Sequence, residues 1–192
     1  MNRRTPAEGP SRRLQDRLAQ GESDAFAEAY DLYGERLYRC ARWWSGGGDE
    51  AEDLVQELFV ALVRGSARLR EVEDLPSYLF VALRRLALRA AQKRLRGGRQ
   101  SSLGDEAERI AARTEAVGEL CERREQLAAA LRTLPESQRE VVVLKVDGEL
   151  TFEQIGATLS ISANTAASRY RYALERLRGL LSEPERARAE GE

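Results

Sequence analysis

The chain of 192 residues contains no histidine and only two cysteines, Cys40 and Cys121. The thiolate and imidazole ligand sets that hold structural zinc therefore cannot be assembled. The Ser-His and Cys-His pairs of most hydrolases are excluded for the same reason, because histidine is the usual base near neutral pH. These absences exclude structural zinc and most hydrolase chemistry. Acidic pairs such as Asp53 and Glu57 also lack any metal-site or catalytic motif around them, so we expect a protein that is not an enzyme and that has no metal and no cofactor.

Long hydrophobic runs are also missing. No stretch approaches the roughly 18 apolar residues that a membrane span requires, and the opening MNRRTPAEGPSRR is not followed by the apolar core of a signal peptide. A chain of this size buries enough surface to fold without disulfides. We therefore expect a cytoplasmic, reduced protein with no membrane insertion.

Charge is balanced overall, with 31 basic and 32 acidic residues, but it is unevenly distributed. Residues 22–57 contain ten acidic and three basic residues, whereas residues 78–100 contain seven basic residues and no acidic one. Either block alone is typical of a solvated helix face. Of the basic residues 29 are arginine. The arginine side chain binds phosphate and guanine well, but a high arginine content equally fits a biased base composition of the genome. The separation of the two blocks favours two surfaces with different partners.

Apolar residues recur at helical spacing in three segments of the first half, 23–44, 49–64 and 76–96. Ser23 is the predicted N-cap of the first helix, Gly65 ends the second, and Pro76 stands at the first position of the third. A polar loop is predicted between Gly65 and Leu75. Cys40 lies on the apolar seam with Tyr30 and is interpreted as a core residue, with a reactive thiol as the alternative.

Glycines follow the basic helix, and residues 97–118 are predicted to be a linker. Helices are then predicted over 119–134 and from Pro135 to Val146, although the β-branched run from Val141 to Leu144 also fits a short strand. Thr151 and Gln154 form a capping-box pattern, and Ser162 caps a long helix predicted to end at Leu181. Two capped helices joined by a tight turn indicate a helix-turn-helix.

The sequence LRTLPESQREVVVLKVDGELTFEQIGATLSISANTAASRYRYALERLR, residues 131–178, resembles region four of bacterial RNA polymerase sigma factors. Residues 24–96, with DEAEDLVQELFVALVRG and PSYLFVALRRLALRAAQKR, resemble region two of the same family. Two regions joined by a short linker are the layout of the extracytoplasmic-function (ECF) sigma factors. The resemblance implies an all-α fold of two small helical domains. The implied division is an N-terminal extension (1–21), region two (22–96), the linker (97–118), region four (119–181) and a polar tail (182–192).

In this family region two binds the clamp of the polymerase's largest subunit, and the resemblance assigns Asp53, Gln56 and Glu57 to that contact. Plain solvent exposure of this acidic face remains the alternative. Region two also reads the minus 10 element, with the segment from Gly65 to Leu75 forming the base-selecting pocket. The implied minus 10 residues are Tyr78, Arg84, Arg85, Arg89 and Lys93. Tyr78 either stacks on a base or packs, and packing is favoured.

Region four reads the minus 35 element with its second helix in the major groove and contacts the polymerase flap. The implied residues are Ser162, Asn164, Thr165, Ala167, Ser168, Arg169, Arg171 and Tyr172, with Arg169 on phosphate. The sequence departs from the family pattern at several positions. Tyr78 stands where tryptophan is usual, and Arg85 stands where asparagine is common. Ser160 and Asn164 replace frequent glycines, and Ala166 replaces a common valine.

The function implied is a sigma factor that binds core RNA polymerase, directs it to promoters, helps to melt them, and is restrained by an anti-sigma factor. Two alternatives stay open. A sigma-like decoy would bind an anti-sigma factor without reading DNA, yet the basic residues from Arg84 to Arg99 argue against it. A stand-alone helix-turn-helix regulator would leave residues 24–96 unexplained.

Overall fold

A computed structural model of the protein describes residues 10–45, 47–96 and 118–189. The regular elements in these ranges are all helical, which confirms the predicted all-α fold. They are α1 (Pro10–Gln20), α2 (Ser23–Trp44), α3 (Gly48–Arg64), a 3-10 helix (Ser66–Glu71), α4 (Leu75–Arg96), α5 (Gly118–Thr133), α6 (Glu136–Val146), α7 (Phe152–Leu159) and α8 (Ala163–Ala189). The chain divides into two compact units, residues 1–100 and 101–192. The predicted linker falls almost wholly outside the described residues.

The core of the first unit lies where α2, α3 and α4 pack against one another. Leu37 of α2, Leu58 of α3 and Leu83 of α4 are buried there. Cys40 is fully buried as a free thiol, which confirms its interpretation as a core residue. Within the described residues no helix is both long enough and apolar enough to span a bilayer.

Helix α1 is an element that the apolar pattern does not predict. It packs against the 3-10 helix, α2 and α4, and its Leu14 and Leu18 are buried. The helix is short and strongly polar apart from these two leucines, so it offers too few apolar positions for a periodicity argument. The segment assigned to an N-terminal extension thus contributes to the core of the first unit.

Three local predictions in the first unit are wrong. Glu22, not Ser23, is the N-cap of α2, and it makes no side-chain capping bond. Pro76 is the second residue of α4, because Asp74 precedes the helix and its carboxylate accepts the Ser77 backbone N–H at 2.9 Å. Tyr30 is 54% exposed, since its ring packs edge-on against Phe59 instead of entering the core.

The second unit consists of α5 to α8, and a cluster of five buried residues lies at its centre: Ala130, Leu134, Val142, Ala173 and Leu177. The run from Val141 to Leu144 is helical and fully buried, so its β-branched character reflects burial and not a strand. Helix α8 continues to Ala189, beyond the end predicted at Leu181. The side chain of Cys121 lies outside the described part of the chain.

The helix-turn-helix is formed by α7 and α8, as the capping pattern predicts. Thr151 accepts a hydrogen bond from the Gln154 backbone N–H, and the Gln154 side chain accepts one from the Thr151 backbone N–H. Ser162 caps α8, with its hydroxyl accepting the Thr165 backbone N–H at 3.0 Å. Between the helices Ser160 adopts the left-handed conformation, with φ 57° and ψ 45°.

Replacing Ser160 with glycine should stabilise the second unit. A side chain in the left-handed region costs free energy that glycine avoids, so Ser160→Gly is expected to raise the free energy of unfolding by about 1 kcal/mol. Urea unfolding followed by circular dichroism measures this change. The control is Ala157→Gly at an exposed position inside α7, which should lower stability by about 0.5–1 kcal/mol. A loss of stability in both variants would contradict the argument.

Candidate protein and nucleic-acid interfaces

The exposed face of α3 brings together the three residues predicted for a protein contact. Asp53, Gln56 and Glu57 are spaced three and four apart, which places them on one side of the helix, and all three are exposed. Val60, one helical turn beyond Gln56, lies on the same side and is 48% exposed. We call Asp53, Gln56, Glu57 and Val60 the α3 surface. The sequence prediction missed Val60, because one valine among the apolar residues of this helix gives no signal of exposure.

The opposite side of α3 fixes this orientation. Leu54, Leu58 and Leu62 are buried in the core of the first unit, so the polar residues between them face outward. A surface that combines carboxylates with an exposed apolar residue suits a protein partner, because its carboxylates would be repelled by nucleic acid phosphates.

Helix α4 presents a row of cations on its exposed side. Tyr78, Arg85, Arg89 and Arg96 are spaced by seven, four and seven residues, and Lys93 lies one turn beyond Arg89. All five are exposed, and Tyr78 retains 36% of its surface. We call Tyr78, Arg85, Arg89, Lys93 and Arg96 the α4 surface. It combines an aromatic ring at one end with cations along its length, the pairing that single-stranded nucleic acid requires.

Two basic residues of α4 do not belong to this row. Arg84 is half-buried, and its position on the helix is rotated by about 100° from that of Arg85 around the helix axis. Arg94 forms an ion pair with Glu50 at the start of α3, so its charge is used within the unit. The structure therefore separates Arg84 from the other predicted minus 10 residues and gives Arg94 a role in joining α3 to α4.

The segment predicted as a polar loop contains the 3-10 helix instead. Leu69 is fully buried, whereas Ala67, Arg68, Arg70 and Glu71 are exposed. One buried leucine anchors the segment, and its polar side chains face solvent. The loop prediction is wrong here because a single apolar residue in six carries no periodic signal.

Helix α8 places Asn164, Ser168 and Arg171 on one exposed face, at spacings of four and three. Tyr172 is 52% exposed beside them, and the Arg171 guanidinium lies 5.1 Å from the centre of its ring. Ala167 is half-buried at the edge of the face. These side chains reach outward from the first turns of a helix, as reading of base edges in a major groove requires.

The remaining predicted residues of α8 have local partners or lie to one side. The Ser162 hydroxyl lies 2.8 Å from the Thr165 hydroxyl, so both take part in the cap. Arg169 is half-buried on the flank of the helix, away from the exposed face. Glu175, one turn beyond Arg171, adds an acidic group to that face that the sequence prediction did not include. We call Asn164, Ser168, Arg171, Tyr172 and Glu175 the α8 surface.

The turns that hold α8 in place are built from side chain to backbone contacts. The Lys145 ammonium donates a hydrogen bond to the Leu150 carbonyl at 2.9 Å and lies 5.1 Å from the centre of the Phe152 ring. The pKa of Glu153 is lowered by a hydrogen bond from its own backbone N–H and by one from the Thr151 side chain. These contacts hold the start of α7, the first helix of the helix-turn-helix, in place. Across the described residues no group of three or more histidine, cysteine, aspartate or glutamate side chains is arranged to hold a metal ion.

Comparison with known families identifies both units. The sigma-70 region 2 family model matches residues 29–97, and the sigma-70 region 4 model matches residues 130–179. The chain is 32% identical over 173 residues to the RNA polymerase sigma factor CarQ of Myxococcus xanthus, covering 88% of this chain and 97% of CarQ. It is 30% identical over 166 residues to the ECF RNA polymerase sigma factor SigE of Mycolicibacterium smegmatis. That match covers 85% of this chain but only 64% of SigE.

Two of the solved structures of similar fold are complexes. CnrH, in complex with the cytosolic domain of CnrY, has a TM-score of 0.63 and 21% identity; the match covers 90% of this chain and 97% of CnrH. The sigma factor RpoE of Bartonella quintana, in complex with the anti-sigma factor NepR, has a TM-score of 0.57 and 25% identity. That match covers 82% of this chain and 96% of RpoE. Helix α1 lies outside the residues that the region 2 family model matches.

Proposed function

Because the chain belongs to the ECF branch of the RNA polymerase sigma factors, we propose that it binds core RNA polymerase, directs it to specific promoters and assists promoter melting. Sigma factors are initiation factors without catalytic activity of their own. The observation that carries the proposal is that the first unit has two surfaces of opposite charge, the α3 surface and the α4 surface. One of them is acidic with an exposed valine at one end, and the other is basic with an aromatic end.

The α3 surface is proposed as the contact with the clamp of the polymerase's largest subunit. Val60 supplies an exposed apolar group next to the polar residues of this surface, one helical turn beyond Gln56. Protein interfaces typically have an apolar centre within a polar rim, and the carboxylates give the rim its preference for a basic partner. The residue that the sequence prediction missed therefore strengthens the case for a protein contact over plain exposure.

The α4 surface is proposed as the contact with the minus 10 element. Arg85, Arg89 and Lys93 are exposed along one side and would neutralise phosphates of the separated strand, a contribution that weakens as salt rises. The exposed ring of Tyr78 is placed to stack on a base. Arg84, which faces elsewhere, is proposed to contribute less than the sequence predicts.

The α8 surface, with the flanking Arg169, is proposed to read the minus 35 element. Arginine on guanine or asparagine on adenine discriminates against the wrong base by roughly 1–3 kcal/mol. Arg171 and Asn164 are the exposed residues that carry these chemistries, and Arg169 on the flank suits a phosphate. Ser162 and Thr165 are proposed to act through the cap that positions the helix.

An anti-sigma factor is proposed as a further partner, since the two similar solved structures are complexes of CnrH with CnrY and of RpoE with NepR. We also propose a cytoplasmic location, because core polymerase and promoter DNA are there. A decoy that never reads DNA is not favoured, because the α4 surface retains its exposed cations.

The proposal is tested by transcription from genomic fragments with the full chain and purified core RNA polymerase. New start sites should appear only when the chain is added. Arg169→Ala/Arg171→Ala should reduce these transcripts by about tenfold or more while leaving polymerase binding intact, because one base contact and one phosphate contact are lost. Gel filtration with core polymerase measures the binding.

Two results would contradict the proposal in different ways. Polymerase binding without any new start site would favour the decoy. Failure to bind polymerase at all would reject the assignment of the α3 surface, and a stand-alone regulator would then be tested by footprinting on the same fragments. The matched control is Arg13→Ala/Arg132→Ala, which removes the same two charges from exposed positions of α1 and α5 and should leave these transcripts unchanged.

A further inference from the structure

Gln15 is a buried polar residue that belongs to none of the α3, α4 and α8 surfaces. Its side chain is 2% exposed on α1, a helix outside the matched family region. The amide nitrogen donates one hydrogen bond to the Leu69 carbonyl and one to the Val72 carbonyl, each with an N···O distance of 2.5 Å. Carbonyl oxygens only accept hydrogen bonds, so the nitrogen of this amide, and not its oxygen, must face them.

The two carbonyls lie near the end and just beyond the end of the 3-10 helix, Ser66–Glu71. The Leu69 carbonyl also accepts the Val72 N–H at 3.2 Å, so one oxygen serves both the turn of the helix and the contact with α1. Arg12 donates a further hydrogen bond to the Val72 carbonyl at 3.2 Å from an exposed position. Both hydrogens of the Gln15 amide group are therefore committed to the backbone of this segment.

A buried leucine and the contacts from α1 hold the segment in place. Leu69 is its one fully buried side chain, and the residues on either side of it are exposed. Helix α1 packs extensively against the 3-10 helix. The shape of the segment thus depends on one leucine and on the hydrogen bonds from α1. Losing the amide would take one donor from each carbonyl, the Leu69 carbonyl keeping the Val72 N–H and the Val72 carbonyl keeping Arg12. The loss of two hydrogen bonds from a buried donor destabilises the conformation in which α1 holds the segment.

We infer that Gln15 is a positioning residue which fixes the segment from Ser66 to Val72 and thereby sets base selection at the minus 10 element. The inference rests on the proposed function, in which this segment forms the base-selecting pocket. Gln15 does not touch DNA. It determines where the exposed residues of the segment lie, and a well-placed base contact discriminates between bases by roughly 5- to 150-fold.

The test compares Gln15→Met with the wild-type chain in transcription with core polymerase. Methionine has a similar length and no hydrogen-bond donor, so it removes both bonds with little change in volume. The templates carry each of the four bases at each position of a minus 10 element mapped with the wild type. We expect the ratio between the best and worst base at the selected position to fall to about threefold or less in the variant. Arg12→Ala, which removes only the exposed bond, should reduce the ratio less.

A merely structural role would lower transcription on every template by the same factor and leave the ratios unchanged. The control Cys40→Ala removes a buried side chain of α2, outside the segment and α1; it should lower the melting temperature but keep the ratios. Unchanged ratios in Gln15→Met, with normal wild-type transcription, would overturn the inference and leave the proposed function intact. If the wild type directs no start site, the proposed function fails first.

Discussion

Replacing Gly156 with alanine is expected to destabilise the second unit strongly. A Cβ atom at this position of α7 would lie 2.7 Å from the Ile161 carbonyl oxygen and 3.3 Å from the Ala163 nitrogen. Both are backbone atoms of the turn that joins α7 to α8, so neither can rotate away. The same turn is closed by hydrogen bonds from the Ser160 and Ile161 N–H groups to the Gly156 carbonyl, at 3.0 Å for Ile161. An added methyl group therefore forces the helix-turn-helix apart.

The expected loss is about 2–3 kcal/mol, the usual cost of overpacking a closed site. That is a large part of the stability of a unit this small, roughly 3–10 kcal/mol. Promoter-directed transcription should fall with it, because the α8 surface loses its support. Both tryptophans, Trp43 and Trp44, lie in the first unit, so tryptophan fluorescence follows that unit and far-ultraviolet circular dichroism follows both. Thermal unfolding of the variant should show an early loss of helix with no early change in fluorescence.

Gly179→Ala is the matched control. It makes the same substitution in α8, where nothing lies within 4 Å of an added Cβ atom. Alanine is the better helix former, so this variant should be more stable by about 0.5–1 kcal/mol. Normal stability and activity in Gly156→Ala would mean that α7 and α8 are not in close contact at this turn.

Much of the fold follows from local sequence signals. The capping box of Thr151 and Gln154 and the cap at Ser162 are chemical patterns within four residues, so they predict the ends of α7 and α8 directly. The outward position of Asp53, Gln56 and Glu57 follows from the apolar residues between them. Where one helix has a clear apolar stripe, its polar face is known without a structure.

Features that depend on contacts distant in sequence could not be predicted in this way. Gln15 meets residues more than fifty positions away, and nothing in its own neighbourhood distinguishes it from an exposed glutamine. Arg94 lies in the basic run but pairs with Glu50, which only the packing of α3 against α4 reveals. Tyr30 fits the apolar seam of α2 by spacing, yet its ring stays at the surface against Phe59. Spacing determines which residues share a face, whereas tertiary packing decides how far each face is covered.

Reversing the charge of the α3 surface should abolish binding to core polymerase. In Asp53→Lys/Glu57→Lys two exposed carboxylates on the same side of α3 as Val60 become ammonium groups. Against a basic partner the attraction becomes repulsion, and like charges placed together across an interface cost several kcal/mol. We expect the dissociation constant for core polymerase to rise about 30-fold or more, which corresponds to about 2 kcal/mol or more. Fluorescence anisotropy of the labelled full chain measures it.

The control is Asp31→Lys/Glu35→Lys on α2, which makes the same change in net charge at two exposed acids with the same four-residue spacing. If binding depends only on overall charge, both double variants will weaken it equally, and the α3 surface loses its assignment. If it depends on the α3 surface, the α2 variant will bind nearly as the wild type does. Val60→Asp separates the two contributions within the surface. It leaves both carboxylates in place and should still weaken binding, because it puts a charge on the apolar part of the surface.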